Sequence, residues 1–270
     1  MNKRATYTIA GVLIAILIVV VVYTKFFAPN YSYLAKYDNV NVSGNYMSSL
    51  YSIANNETLA NKIGESIGPN SGYRSISNGT PLVAGGKPAV MYYGAEFCPY
   101  CAVTRWSIII AMMRFGNFSG LRYMTSAASD ILNYTPTFTF YNSTYTSNYI
   151  SFISEEFATN LVNPSTGTYY QLQVPNELEN ATVSKYGSGG IPFIDFGNKS
   201  VQNGAVVNPT LIRGSNWTTV LSNMENPNSP VSQNLIGGAN LFTAQICEMT
   251  GNTPANVCGQ AYVKAIERYD

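Results

Sequence analysis

With 270 residues, 15 basic and 14 acidic side chains and a formal net charge of +1, the chain is long enough for one large domain or a domain with an insertion. The near-zero charge, with no basic patch interleaved with aromatics, excludes a dedicated nucleic-acid surface and gives no preference for an acidic substrate. The lack of any histidine excludes Ser-His-Asp and Cys-His nucleophilic sites and His-ligated zinc or haem. Thiol, carboxylate and amine chemistry remain.

The chain opens with Lys3 and Arg4, followed by an uncharged apolar stretch. Residues 5–24 reach the roughly 20 residues that cross a bilayer. The preceding basic pair orients the N-terminus toward the cytoplasm. Residues 23–27 offer a poor signal-peptidase site. The expectation is therefore an uncleaved single-pass anchor, residues 1–27, with membrane lipid as its partner through residues 5–24. A buried core helix fits less well, because no face is polar; a pilin-like N-terminal helix is a further alternative. A Tyr-rich tether, residues 28–44, leads to an expected ectodomain over 45–270. Helical spacing runs over 46–63 with an interruption at Asn55-Asn-Glu57, and Gly- and Ser-rich loops follow around a short strand at 73–76.

Residues 88–94 read as a buried strand bounded by Pro and Gly. A tight turn then opens a long apolar helix whose first turn carries Cys98 and Cys101, stopping near Gly116. Thiols at i and i+3 share one helical face. The helix N-terminus favours a thiolate there. That chemistry needs Cys98 exposed and ionisable as nucleophile, with Cys101 behind it to resolve a mixed disulfide. An inert disulfide or half of a metal site are the plainer readings. A four-cysteine zinc site with Cys247 and Cys258 does not fit the spacing, so no metal and no cofactor is expected. Glu96 reads as a solvated loop charge, Trp106 and Ile108–Ile110 as core, and Phe193 as core or groove wall.

Residues 120–125 read as the next parallel strand, joined by a right-handed crossover. Alternation over 137–141 and 149–153 suggests a β-hairpin, and 176–186 a short helix, within an insertion over about 130–187. A closing antiparallel pair is expected from 191–196 and a segment within 205–213. Helices are expected over 217–224, 235–250 and 255–269. A Cys247–Cys258 bond would staple the last two, worth roughly 2–3 kcal/mol in the loop-entropy picture; an even cysteine count outside the cell favours disulfides. A shuttle disulfide relaying electrons to Cys98 is the sharper alternative for that pair.

Charged residues make up 11% of the chain, against roughly 25% in an average soluble protein, and Asn, Ser, Thr and Tyr fill the gap. N-x-Ser/Thr sequons lie at Asn30, Asn41, Asn56, Asn78, Asn117, Asn133, Asn142, Asn180, Asn198 and Asn216. Their density and the anchor point to a glycosylated, outward-facing membrane protein in which glycans replace charge as the solubilising coat.

The Cys98-Pro-Tyr-Cys101 run after a buried strand, with the later stretch 188–199, resembles the thioredoxin superfamily, and its Cys-Pro-Tyr-Cys form looks most like glutaredoxins. The whole pattern is similar to an archaeal membrane-anchored family carrying a thioredoxin-like domain. The resemblance implies an α/β, thioredoxin-like fold with a strand-rich insertion, preceded by one transmembrane helix. It also implies a cis Ile191–Pro192 bond facing the thiols, with Tyr100, Ile191 and Pro192 contacting the substrate chain. Where thioredoxins carry a buried acid, this chain has Tyr92. The implied activity is thiol–disulfide exchange on protein dithiol or disulfide substrates, in the oxidase or isomerase direction, with a membrane redox partner to reset it. The rival expectation is a non-catalytic surface protein that has kept the scaffold.

Overall fold

The computed structural model describes Ile9, residues 12–19, 29–64, Ser66 and 72–266. The chain divides into two units, residues 1–33 and 34–270. In the first, Ile9 and residues 12–19 are helical and exposed; the rest of the expected anchor over 5–24 lies outside the described residues. Among the described residues no helix is long and apolar enough to cross a membrane.

The second unit is a mixed α/β structure. After a 3-10 helix at Ser32–Tyr37 come α1 (Gly44–Ala54) and α2 (Glu57–Ile63). Ser43 caps α1 by accepting from the Tyr46 N–H, and Asn56 caps α2 from the Leu59 N–H, which explains the break at 55–56. Next come β1 (Tyr73–Ser75), β2 (Val83–Ala84), β3 (Lys87–Gly94) and α3 (Pro99–Met112). Short strands β4 (Gly116–Ser119), β5 (Arg122–Thr125), β6 (Pro136–Thr139) and β7 (Thr144–Ser147) lead to β8 (Ser151–Glu156). After β9 (Ala158–Val162), β10 (Tyr169–Gln171) and α4 (Glu177–Tyr186), the chain returns through β11 (Phe193–Phe196) and β12 (Ser200–Asn203). It closes with α5 (Trp217–Glu225), α6 (Pro230–Met249), α7 (Ala255–Cys258) and α8 (Ala261–Ile266). Residues 267–269 of the expected last helix lie outside the described residues.

The main sheet runs β1-β12-β11-β3, with β8 on the free side of β3 and β2 paired to its start. β3 is antiparallel to β11, with Tyr93 opposite Phe193, and parallel to β8, with Gly94 opposite Glu156. A strand hydrogen-bonded on both sides and covered on both faces reads as a continuous apolar run, and Ala89–Tyr92 are all buried. One sheet face carries the cluster of Leu82, Ala89, Met91, Tyr186, Phe193 and Val201, so Phe193 is core. Every residue of α3 except Tyr100 is buried, which accounts for its lack of a polar face. It packs on α6 and on β6, where Trp106 meets Phe138 at 4.6 Å between rings and donates to the Pro136 carbonyl. Gly238 allows the α6 contact: a Cβ there would lie 2.8 Å from Ser107 Oγ.

Three strand expectations are corrected. Residues 120–125 do not enter the main sheet; β5 pairs with β6 in a separate two-stranded sheet. The parallel neighbour of β3 is β8, so residues 137–141 and 149–153 form no hairpin, and the stretch 130–187 contributes a strand to the main sheet. The sequence Ser-Phe-Ile-Ser-Glu-Glu hides this role, because its last glutamate is buried only by virtue of a distant arginine on α3. The partner of β11 is β12, ahead of the expected segment in 205–213. β12 has a polar sequence, but Ser200 donates to Gln245 Oε1 of α6 at 2.7 Å, which satisfies a hydroxyl inside the core.

Candidate active site

Both thiols sit where β3 hands over to α3. Cys98 is the N-cap of α3, with extended backbone angles, and its Sγ accepts the Cys101 N–H at 3.3 Å. Pro99 occupies the first helical position, where a missing N–H costs nothing. Cys98 and Cys101 are both free cysteines. The expected open exposure of Cys98 is corrected: it keeps only 6% of its surface, and Cys101 none, because Cys98 faces into the turn to cap the helix. Tyr100 between them is 49% exposed.

The pair is electrostatically asymmetric. A hydrogen bond from the Cys101 side chain holds the Cys98 thiol below its ordinary value; burial opposes this, while the Cys101 N–H and the Arg105 guanidinium add to it. Burial pushes the Cys101 thiol well up, and its hydrogen bond to Cys98 and the charge of Cys98 push it further. Cys98 therefore ionises first, and Cys101 keeps the proton it donates.

Beneath the thiols the strand end is tightly built. A Cβ on Gly94 would lie 2.2 Å from Tyr92 Oη and 3.1 Å from Cys101 Sγ, so a glycine is required there. The Tyr92 hydroxyl is buried and has no hydrogen-bond partner among the described residues. Arg105, one turn beyond Cys101, is fully buried and grips Glu156 of β8: Nε donates to Oε1 at 2.7 Å and Nη2 to Oε2 at 2.6 Å. Nη2 also donates to the Ala95 carbonyl at 2.6 Å. Neither Arg105 nor Glu156 is singled out by sequence reasoning. The signal available was Arg105 itself, the one charge in the apolar run from Ala102 to Met113.

Glu96 also departs from expectation. It is 3% exposed rather than solvated, and burial pushes its carboxyl up to about 7, with the charge of Glu156 adding to the rise. Its N–H is tied to the Ala158 carbonyl at 2.9 Å, which turns the loop inward.

The Ile191–Pro192 bond is cis. Pro192 is buried and Ile191 half-buried. With Phe193 opposite Tyr93, the register brings Pro192 to the Gly94 end of β3, against which Cys101 Sγ rests. On the other side of the turn, Phe97 stacks on Tyr169 at 4.1 Å and meets Phe157 edge-on at 6.0 Å. These rings, with Pro175, line a cavity of about 320 Å³.

Cys247 and Cys258 form a disulfide with a Cα–Cα distance of 5.5 Å that joins the end of α6 to α7, and both are fully buried. Bonded to each other, they cannot join Cys98 and Cys101 in a four-thiolate metal site. Asn133 and Asn198 are half-buried, and the other eight sequon asparagines are exposed.

Residues 73–248, well over half of the chain, match a family described as a domain of unknown function (DUF929). No curated protein and no solved structure matches the chain.

Proposed function

The chain belongs to the DUF929 family, and we propose that it is a membrane-anchored, extracytoplasmic thiol–disulfide oxidoreductase on a thioredoxin-like scaffold. One observation carries this reading. An unbonded Cys-x-x-C pair caps a buried helix directly after the central strand, with one thiol pushed toward ionisation and the other away from it. The strand order β12-β11-β3-β8, with β8 parallel and β11 antiparallel to β3, supports the thioredoxin-like scaffold. The uncharged stretch after Lys3 and Arg4 and the exposed sequons support an anchor and an outward-facing, glycosylated domain. Perturbed groups cluster at functional sites, so the asymmetry between the two thiols favours the catalytic reading over a non-catalytic surface protein.

The chemistry follows from that asymmetry. The Cys98 thiolate attacks one sulfur of a substrate disulfide, forming a mixed disulfide and breaking the substrate S–S bond. The departing thiolate takes the proton released by Cys101. The Cys101 thiolate then attacks Cys98 Sγ, which closes the Cys98–Cys101 disulfide and expels the second substrate sulfur as a thiolate. Two electrons pass from the protein dithiol to the substrate, and the reverse sequence oxidises a substrate dithiol. In this reading Tyr100, exposed between the two cysteines, and the cis Ile191–Pro192 peptide would hold the substrate chain.

The test uses the full chain in detergent, assayed for insulin reduction and for oxidation of a dithiol peptide, with Cys98→Ser as control. Exchange that vanishes in the variant supports the reading. Equal rates in the two proteins would end it.

A further inference from the structure

We infer that Arg105, braced by Glu156, is a positioning residue for the two thiols: its fixed guanidinium supplies the positive charge against which Cys101 ionises when it resolves the mixed disulfide. This deepens the thiol–disulfide reading above and rests on it.

The geometry is specific. Among the described residues, Arg105–Glu156 is the one ion pair, and it is fully buried directly under the Cys-x-x-C turn. Burying an ion pair is a poor way to gain stability, because desolvation offsets most of the attraction. In a chain with 11% charged residues, its position calls for another explanation. Two arms of the guanidinium are committed to Glu156 and to the Ala95 carbonyl. The third, Nη1, is buried with no partner among the described residues. Ala95 is the hinge of the arrangement: its carbonyl also accepts the Cys98 N–H at 3.3 Å, and its own N–H faces the Cys101 sulfur. The backbone of one residue thus ties the guanidinium to both cysteines.

Among the described residues, the groups that act on the guanidinium come from three elements and one turn. Cys98 and Cys101 face it from α3, and Glu156 from β8. Glu96 faces it from the turn, and Tyr92 from β3 with its ring centre 5.7 Å from the Arg105 Cζ. During resolution Cys98 is neutral in the mixed disulfide, and Cys101 must lose its proton with no solvent contact. Burial, Cys98, Arg105 and the Ala95 backbone act on the Cys101 thiol, and at the position six before Cys98 the side chain is Tyr92. A free guanidinium arm lowers the cost of the thiolate. Glu156 holds that arm still and partly neutralises it.

That division of labour gives opposite signs on substitution. The test is thiolate ultraviolet absorbance against pH in the full chain in detergent. The Cys98→Ser background reports Cys101 in a state that mimics the neutral mixed disulfide. The Cys98→Ser/Cys101→Ser double variant subtracts the tyrosine background. Arg105→Gln should raise the Cys101 midpoint by about 1 pH unit or more, the size expected for a nearby opposite charge. Arg105→Lys should fall between it and the parent, and Glu156→Gln should lower the midpoint. Circular dichroism confirms that each variant is folded. If Arg105→Gln does not fold, the Arg105→Lys and Glu156→Gln shifts still have to differ in sign. Shifts of one sign in all variants, or none at all, would overturn the assignment. The titration needs no substrate, so a parent chain without exchange activity but with opposite shifts would sink the functional reading and leave the electrostatic one standing.

Discussion

Cys98 caps the helix that presents its own partner: the Cys101 N–H donates to Cys98 Sγ across 3.3 Å. The nucleophile is thus also a structural element, and the two roles separate by substitution. Serine keeps an N-cap acceptor and alanine does not. Cys98→Ser should abolish exchange while leaving stability within roughly 0.5 kcal/mol, whereas Cys98→Ala should lose exchange and about 1 kcal/mol besides. Denaturant midpoints of the two variants check this. Equal destabilisation would show that the sulfur does not act as a cap.

Burial of Glu96 makes stability depend on pH in an unusual direction. Its carboxyl rises from 4.5 to about 7 on folding, so the folded state holds this proton more tightly than the unfolded chain. The stability it contributes is complete below 4.5 and is lost as pH climbs through about 7. Half-buried Asp38 and buried Asp195, both pushed up to about 6 chiefly by burial, act with the same sign. For Glu96 alone the loss is on the order of 3 kcal/mol. Unfolding at pH 5 and pH 8 should show the protein weaker at pH 8, and Glu96→Gln should shrink that difference by about 2–3 kcal/mol, leaving the share of the two aspartates. A protein equally stable at both values would contradict this.

The Cys247–Cys258 bond closes a short loop, with 11 residues of separation, in a buried corner. Replacing both cysteines by alanine should cost about 2–3 kcal/mol through the freed unfolded chain. Because these sulfurs are bonded to each other and away from the Cys98 turn, exchange activity per folded molecule should not change. A variant that folds but loses exchange would instead assign the bond a relay role.

Glycan occupancy should follow the geometry of the asparagines. Asn198 adopts φ +54°, donates Nδ2 to the Thr80 carbonyl at 2.7 Å and buries its Oδ1. Asn133 is half-buried and accepts from Arg213 Nη2 at 2.9 Å. Both should be unmodified in native material, with glycans confined to exposed positions such as Asn41, Asn78 and Asn117. Glycopeptide mass spectrometry reads this directly. A fully occupied Asn198 would mean that modification precedes folding of the β11–β12 turn.

The sequence made the central strand, the thiol-bearing helix and the last long helix legible, because each is a long apolar run with clear punctuation. β8 and β12 were hidden for the opposite reason. Their sequences are polar, and their place in the sheet depends on partners far along the chain, Arg105 for Glu156 and Gln245 for Ser200. Glu96 was misread by the same logic. Nothing local buries it; the hydrogen bond from its N–H to Ala158 does, from an element more than sixty positions on. The cysteines of the site were visible as a motif, but the charge beneath them was not. Local pattern carries propensity and periodicity, and a buried ion pair has neither.

The most direct test of a redox role is equilibration of the full chain against glutathione buffers, with alkylated forms counted by mass. A single two-electron transition, between about −270 and −120 mV and absent in Cys98→Ser, is expected for a Cys98–Cys101 couple. Cysteines 98 and 101 that stay reduced in every buffer, however oxidising, would contradict it.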